Sequence, residues 1–195
     1  IASFDEAIKE LGTCGLDAAV EFALLPGTYT TSLLIGTLPT TATNTLTITS
    51  STGDKNDVII DVSDQAVLLA DANNVFIKDM TLKGNAVAVL MSGYCKNIEI
   101  RNCYLQANEG TATKGPSVIK YNNAINTAYL EDIRIVNNIL EGGPYSIYLD
   151  HAASGAVKAK MIRDTIGITA PLTLVDGEQN DVTEFLIEKS KAENC

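Results

Sequence analysis

One short phrase of alternating apolar and polar residues is repeated along this 195-residue chain. Each copy has the pattern apolar-x-apolar-x-(Asn or Asp)-x-x-apolar. The clear copies are Val75–Leu82, Ile98–Leu105 and Ile133–Leu140, and weaker ones follow at 161–166 and 185–189. A polar residue at a fixed phase of a repeated apolar pattern is the signature of a solenoid, in which each repeat buries its apolar face against its neighbours.

The spacing of the copies selects the kind of solenoid. Equivalent positions lie 23, 35, 27 and 25 residues apart, measured at residues 79, 102, 137, 164 and 189. Alternation at period 2 predicts a strand with one buried face, and a second strand with a polar end precedes each copy. A βαβ unit would need a crossover helix, but the segments between the copies have no helical periodicity. We therefore predict an all-β fold, a right-handed parallel β-helix of about seven coils.

The same alignment predicts which residues stack from coil to coil. Two inward aliphatic columns are predicted. One consists of Val75, Ile98 and Ile133, and the other of Ile77, Ile100, Ile135 and Ile162. The Asx positions form a structural ladder at a turn, because Asn and Asp tolerate left-handed backbone and bond the backbone locally. Lys160 interrupts the inward pattern of its coil, which indicates a bulge or a one-residue register shift.

An outward column is also predicted, and it contains most of the basic residues of the repeats. Its members are Lys78, Arg101, Val136 and Arg163. Such a column suits a uronate or sulfate group, but a solvated strand face is the favoured interpretation. In that interpretation the basic residues pair with Glu99, Glu131 and Asp132.

A single helix is predicted, at residues 3–11. Ser3 and Glu6 have the spacing of a capping box, and Gly12 follows the apolar face as a stop signal. An open solenoid end exposes its core, so a short amphipathic helix at this position is expected to cover it.

We expect the whole chain, 1–195, to be one β-helix domain. Residues 20–62 form irregular first coils and residues 63–195 the regular coils. The chain ends within a coil, which predicts a longer protein whose other domains, or other copies of the same chain, pack on that coil. The net charge of −10 argues against nucleic acid as a partner, since counterion release needs Lys and Arg. No apolar run reaches the ~18 residues of a transmembrane segment.

The first third of the chain resembles a known superfamily. The residues that carry the resemblance are Phe4, Ala7, Leu11, Gly15, the segment 20–22, the turn 26–29, the segment 44–48, Gly53, Asp54 and Val58. They are similar to the opening of right-handed β-helix proteins of the pectin-lyase-like superfamily, and above all to large secreted surface proteins of Bacteroidetes-type bacteria. The resemblance implies the fold and a secreted or cell-surface location. It implies no activity, because its motifs mark coil geometry.

Tyrosines surround an insertion in the coil that runs from 102 to 137. Six of the seven tyrosines lie between residues 94 and 148. Amphipathic rings on a rigid strand face suit stacking against sugar rings, and insertions of a solenoid cluster on its binding face. The predicted ligand-binding residues are Tyr121, Tyr148, Tyr145, Asn122 and Asp176.

An enzymatic alternative rests on other residues. Resemblance to pectate lyases implies a cluster of carboxylates around Ca²⁺ with an Arg or Lys that removes a proton. Resemblance to polygalacturonases implies paired Asp residues on one face of the coils. Asp150 and Asp176 are the one carboxylate pair on adjacent coils, and no catalytic motif matches residue by residue. If the chain is an enzyme, its candidate catalytic residues are Arg101, Lys120, Asp150 and His151, and Ca²⁺ is a candidate cofactor.

The four cysteines leave two alternatives open. Cys14, Cys95, Cys103 and Cys195 are an even set that suits two disulfides in a secreted chain. Cys103, which lies beside the Asx column, is predicted to be a buried free thiol. The sequence as a whole favours a non-catalytic carbohydrate-binding, adhesive or structural module over a polysaccharide lyase or glycoside hydrolase acting on an acidic glycan.

Overall fold

The computed structural model describes residues 3–108, 117–123, 130–142 and 145–151, and the strands at 158–162, 165–167, 184–188 and 191–193. Side chains are described for 3–108, 117–121, 130–142 and 146–148. Within these residues the chain forms one helix followed by strands.

The helix is α1 (Phe4–Cys14), and the strands of the first three coils follow it. They are β1 (Val20–Leu24), β2 (Gly27–Tyr29), β3 (Leu33–Ile35), β4 (Leu46–Ser50), β5 (Val58–Val62), β6 (Gln65–Ala70), β7 (Asn73–Lys78), β8 (Thr81–Gly84) and β9 (Val87–Ser92). The strands of the later coils are β10 (Cys95–Arg101), β11 (Tyr104–Ala107), β12 (Ser117–Asn123), β13 (Leu130–Val136), β14 (Ile139–Gly142), β15 (Tyr145–His151), β16 (Lys158–Ile162), β17 (Thr165–Gly167), β18 (Glu184–Glu188) and β19 (Lys191–Glu193).

Three parallel sheets wind around one core, because consecutive strands join the three sheets in turn. Sheet A has the order β1-β4-β7-β10-β13-β16-β18, sheet B the order β2-β5-β8-β11-β14-β17-β19, and sheet C the order β3-β6-β9-β12-β15. This is a right-handed parallel β-helix, as predicted. Seven coils contribute a strand to sheet A, and five of them have all three strands among the described residues.

The aliphatic columns of the core follow the predicted register. Val75 pairs with Ile98, which pairs with Ile133, and these residues are at most 1% exposed. The prediction fails only in the sixth coil, where Ile135 pairs with Met161 and Ile162 pairs with Val136 instead. The one-residue shift anticipated at Lys160 is therefore confirmed, since a slip by one residue exchanges the two sets of positions in a strand.

The Asx ladder is structural, as predicted, at its three described positions, whereas Asp164 lies outside the described residues. Asp79, Asn102 and Asn137 have φ of 54°, 54° and 55°. Asn102 Nδ2 donates to Asp79 Oδ1 at 3.0 Å, and Asn137 Nδ2 donates to Asn102 Oδ1 at 2.6 Å. A second ladder was not predicted: Asn97 Nδ2 donates to Asn74 Oδ1 at 2.8 Å, again with positive φ at both residues.

Helix α1 covers the N-terminal end of the solenoid. Ser3 Oγ accepts from the Glu6 amide at 3.2 Å, and Phe4, Ile8 and Leu11 pack against the core. The helix continues past the predicted stop at Gly12. Its C-cap is Gly15, whose φ of 83° supplies the left-handed backbone of a helix end and whose amide donates to Leu11 O.

Three of the four cysteines lie in the described part of the chain, and all three are free thiols. Cys14 is exposed, whereas Cys95 and Cys103 are buried. Burial raises the pKa of Cys103 to about 12 and that of Cys95 to about 11. The prediction of a buried free thiol at Cys103 is confirmed, and Cys195 lies outside the described residues.

Candidate ligand-binding faces

Tyr121 does not offer a surface for a sugar ring, which corrects the role predicted for it. The side chain is fully buried in the core, and its hydroxyl donates to Gly93 O at 3.0 Å. In sheet C, Tyr121 pairs with Met91, which is also fully buried. The register of β12 therefore turns this ring inward.

Tyr148 and Lys120 occupy paired positions on neighbouring strands of sheet C. Lys120 Nζ lies 5.9 Å from the centroid of the Tyr148 ring, a distance typical of a cation–π contact. Tyr148 is only 4% exposed. The stacking role predicted for Tyr148 therefore lacks an accessible ring face as well.

The remaining candidates on sheet C are placed by their backbone alone. Asn122 pairs with Asp150, and Asn123 pairs with His151. These strands thus bring together Lys120, Asn122, Asp150 and His151, and Tyr145 pairs with Ser117 at the other end. The side chains of Asn122, Tyr145, Asp150 and His151 and all of Asp176 lie outside the described residues. Arg101 is apart from this group, because it belongs to sheet A.

Glu99 is the centre of a charged cluster on the outer surface of sheet A. Its carboxylate accepts from Arg101 Nε at 2.6 Å through Oε1, and Arg134 Nε lies 3.1 Å from Oε2. The Glu99 side chain is 9% exposed, whereas those of Arg101 and Arg134 are 41% and 40% exposed. The two guanidinium groups therefore cover the carboxylate and present their own outer edges to solvent.

An aromatic ring completes this cluster. Phe76 pairs with Glu99, which pairs with Arg134, so the three side chains follow one another across three coils. Lys78 Nζ lies 5.7 Å and Arg134 Cζ 6.0 Å from the centroid of the Phe76 ring. We call Phe76, Lys78, Glu99, Arg101 and Arg134 the face A cluster. Phe76 was not among the site residues predicted from the sequence, although it is an aromatic residue at a position of the repeated phrase that is polar in the other clear copies.

Electrostatics fix the charge state of the cluster. Burial by itself raises the pKa of Glu99, but the hydrogen bond and charge of Arg101, with the charges of Arg134 and Lys78, outweigh it and hold this pKa below its usual range. The hydrogen bond to Glu99 raises the pKa of Arg101. Three cations thus surround one ionised carboxylate. The charge of the nearby Asp79 also raises the pKa of Arg101. The carboxylate oxygens of Asp79 accept hydrogen bonds from Thr49 and from Asn102 of the Asx ladder.

The outward column predicted from the sequence is correct in part. Arg101 pairs with Glu99 as expected, and Glu131 accepts from Lys96 Nζ at 2.8 Å and from the Tyr94 hydroxyl at 2.8 Å. Val136 is buried, with 4% exposure. Arg163 lies outside the described residues.

Sheet B carries a polar groove of about 500 Å³. A row of four residues crosses sheet B in strict register, because Asp61 pairs with Lys83, Lys83 with Gln106, and Gln106 with Glu141; the first three of them line the groove. The groove is lined by Asp61, Val62, Ser63, Lys83, Gly84, Asn85, Gln106 and Asn108. We call this lining, together with Tyr104 and Glu141 beside it, the B groove.

Tyr104 lies next to this row on the same strand as Gln106. Its ring is partly exposed, and its hydroxyl donates to Glu141 Oε2 in the next coil. Burial, with the hydrogen bond and charge of Glu141, raises the pKa of Tyr104 to about 12. Asn108 Nδ2 donates to Asn85 Oδ1 at the rim of the groove.

In the part of the chain that the structure describes, no group of three His, Cys, Asp or Glu side chains is arranged to hold a metal ion. None of the described residues belongs to a helix long and apolar enough to cross a membrane. Comparison with protein-family models, with curated proteins and with solved structures found no match. The parallel β-helix architecture is therefore established by the structure itself, whereas membership of the pectin-lyase-like superfamily stays a prediction.

Proposed function

We propose that this chain is a non-catalytic carbohydrate-binding module of a secreted or cell-surface protein, and that the face A cluster contacts the glycan. The observation that carries the proposal is the grouping of three cations around one buried carboxylate, beside a partly exposed aromatic ring. The chain as a whole has a net charge of −10, so this local excess of positive charge is not a general property of its surface.

The free donors of the cluster indicate the class of glycan. Glu99 engages Nε of Arg101 and lies 3.1 Å from Nε of Arg134, so the terminal N–H groups of both guanidinium groups are not used in these contacts. A guanidinium edge matches the two oxygens of a carboxylate or sulfate group. The proposed ligand is therefore a polysaccharide with uronate or sulfate groups.

The rigidity of the cluster also supports binding. Glu99 lies on β10 between Ile98 and Ile100, which are fully buried, so the carboxylate that hydrogen-bonds Arg101 and forms an ion pair with Arg134 is anchored in the sheet. Preorganised side chains lose less conformational entropy when a ligand binds. The Phe76 ring adds an apolar surface of the kind on which sugar rings stack.

The charge states support a binding role over acid–base chemistry at this face. A general acid or base works best when its pKa lies near the operating pH. The pKa of Glu99 is lowered and that of Arg101 is raised, so both pKa values move away from neutrality. Both groups keep their charge at neutral pH, which suits recognition of an anion.

The test is binding of the purified chain to a sulfated and to a carboxylated polysaccharide, with neutral dextran as a reference, at low and moderate salt. We expect Arg101→Gln combined with Arg134→Gln to weaken binding at least tenfold. The control is Lys9→Gln, which removes one charge from an exposed position of α1 and should leave binding unchanged, and it is compared with Arg101→Gln and Arg134→Gln made one at a time. Equal losses in the control and the arginine variants would contradict the proposal, because they would mean a non-specific charge effect.

A second candidate function is that of a polysaccharide lyase or glycoside hydrolase, and the position of two candidate catalytic residues in sheet C favours it. Asp150 and His151 pair with Asn122 and Asn123, on the strand that also carries Lys120. Incubation with pectin, alginate or chondroitin tests it, with and without Ca²⁺. Appearance of unsaturated or shortened products that depends on Asp150 and His151 would support the enzyme, and would overturn the non-catalytic proposal.

A further inference from the structure

We propose that the B groove is a second carbohydrate site, which takes neutral, hydroxyl-rich sugar residues. The choice of a carbohydrate rests on the proposed function, but the residues are separate from the face A cluster and lie on another sheet. Three features carry the inference: the unused polar groups of the groove, their alternating chemistry along the row, and the ring of Tyr104 beside them.

The polar groups of the row are not consumed by the fold. In the described part of the chain, Asp61, Lys83 and Gln106 make no side-chain hydrogen bond or ion pair. All three are nevertheless held at fixed positions by the pairing of β5, β8 and β11. Polar side chains that are placed by the backbone and have no internal partner are able to serve a ligand.

The chemistry of the row suits hydroxyl groups. Asp61 accepts hydrogen bonds, Lys83 donates them and Gln106 does both. The row continues to Glu141, which is exposed and accepts from Tyr104. A sugar hydroxyl is both donor and acceptor, so a mixed row matches it. The row holds one cation and two carboxylates, and therefore does not favour an anion.

The dimensions fit a short stretch of an extended glycan. Neighbouring strands lie roughly 4.8 Å apart, so four coils place the first and last members of the row roughly 14 Å apart. That is comparable to a few sugar residues in a linear chain. The groove along this row has a volume of about 500 Å³.

Tyr104 supplies the apolar part of the site. Its hydroxyl is fixed by Glu141, so its ring has a defined orientation on the outer surface of sheet B. The stacking role that the sequence analysis assigned to tyrosines therefore suits Tyr104, whereas Tyr121 and Tyr148 are buried. The amide pair of Asn85 and Asn108 orders the rim on the opposite side of the row.

The experiment is titration of the full chain with neutral oligosaccharides, namely cellohexaose, xylohexaose and mannohexaose, followed by amide chemical shifts or calorimetry. We expect at least one of them to bind, and Gln106→Ala and Tyr104→Ala each to weaken binding at least fivefold. Tyr104→Phe keeps the ring and should retain most of the affinity. The control is Thr28→Ala, an exposed polar residue of the same sheet that lies outside the groove, and it should change nothing.

Two results would overturn this inference. One is that none of the three oligosaccharides binds the wild-type chain. The other is that binding is insensitive to Gln106→Ala and Tyr104→Ala, or falls with the arginine variants of face A instead. If sulfated polysaccharide still binds through Arg101 and Arg134, only the second site is lost; if neither class binds, the proposed function fails with it.

Discussion

The same coils carry two outer faces that treat their polar residues in opposite ways. On sheet A the charged side chains pair with one another, because Arg101 and Arg134 both form ion pairs with the carboxylate of Glu99. On sheet B, Lys83 and Gln106 occupy the same kind of outward strand position but have no internal partner among the described residues. Internal pairing uses the acceptor of face A and leaves only donors, whereas the B groove offers donors and acceptors together. The difference predicts an anionic ligand for the first face and a neutral one for the second.

The largest effect we expect is the difference in stability between alanine variants of a buried tyrosine and of a partly exposed one. Tyr121→Ala removes a fully buried ring, and should lower the free energy of unfolding by about 3–5 kcal/mol. Tyr104→Ala removes a partly exposed ring of the B groove, and should cost less than about 1 kcal/mol. Urea unfolding midpoints of the two variants check this. Similar losses at both positions would mean that Tyr104 is a packing residue and that the B groove lacks a free aromatic surface.

An intermediate effect distinguishes the two carboxylates. Glu99→Gln removes the shared anion of face A, leaving the guanidinium groups and Lys78 to repel one another. We expect a loss of about 1.5–3 kcal/mol in the free energy of unfolding, the range for a hydrogen bond to a charged group. Glu141→Gln changes an exposed carboxylate of the B groove, and should stay within about 0.5 kcal/mol. If the two variants were equally stable, the internal pairing of face A would contribute nothing.

The sequence predicts the face of a strand well where the repeated phrase is complete. Val75, Ile98 and Ile133 align because the same phase recurs in each copy, and the ladder of Asp79, Asn102 and Asn137 follows from it. The second ladder was missed, because Asn74 and Asn97 precede the phrase and its pattern does not include them. Tyr121 was misplaced, because its strand lies outside the repeated phrase and a shift by one residue turns every side chain to the other face.

The repeated phrase displays the register between the coils of the two candidate sites, but it does not show which of their outward side chains bond one another. Glu99 and Arg101 are two residues apart in the chain, but Arg134 joins them only because β10 pairs with β13. Lys83, Gln106 and Glu141 each directly follow a clear copy of the repeated phrase, whereas Asp61 lies before the first clear copy, so the phrase marks only part of the row. Insertions of unequal length separate the coils, so neighbouring polar residues are recognised from their position relative to the phrase and not from their distance along the chain.

The smallest effects we expect are changes in how stability depends on pH. Face A should lose stability at acid pH, and the B groove should lose it at alkaline pH. The folded-state pKa of Glu99 is lowered, whereas in the unfolded chain it returns to roughly 4.3. A lowered pKa contributes stability above the unfolded value, and the contribution is lost as the pH falls through the folded value. The acid limb of the unfolding curve should therefore be shallower in Glu99→Gln than in the wild-type chain. An unchanged acid limb would show that the ion pairs of face A are screened.

The alkaline limb belongs to the B groove and has the opposite sign. The folded-state pKa of Tyr104 is about 12, and in the unfolded chain it returns to roughly 10. A raised pKa contributes stability that is fully present below the unfolded value and is lost as the pH rises toward the folded one. Between these two values Tyr104→Phe should lose less stability with pH than the wild-type chain, since it has no hydroxyl to ionise beside Glu141. Thermal unfolding followed from pH 9 to pH 11.5 measures this difference, and Tyr29→Phe is the matched control, because its hydroxyl bonds a backbone carbonyl and not a carboxylate. A change of equal size in the Tyr29 variant would mean that the groove carboxylate does not act on Tyr104, and that face A alone carries coupled charges.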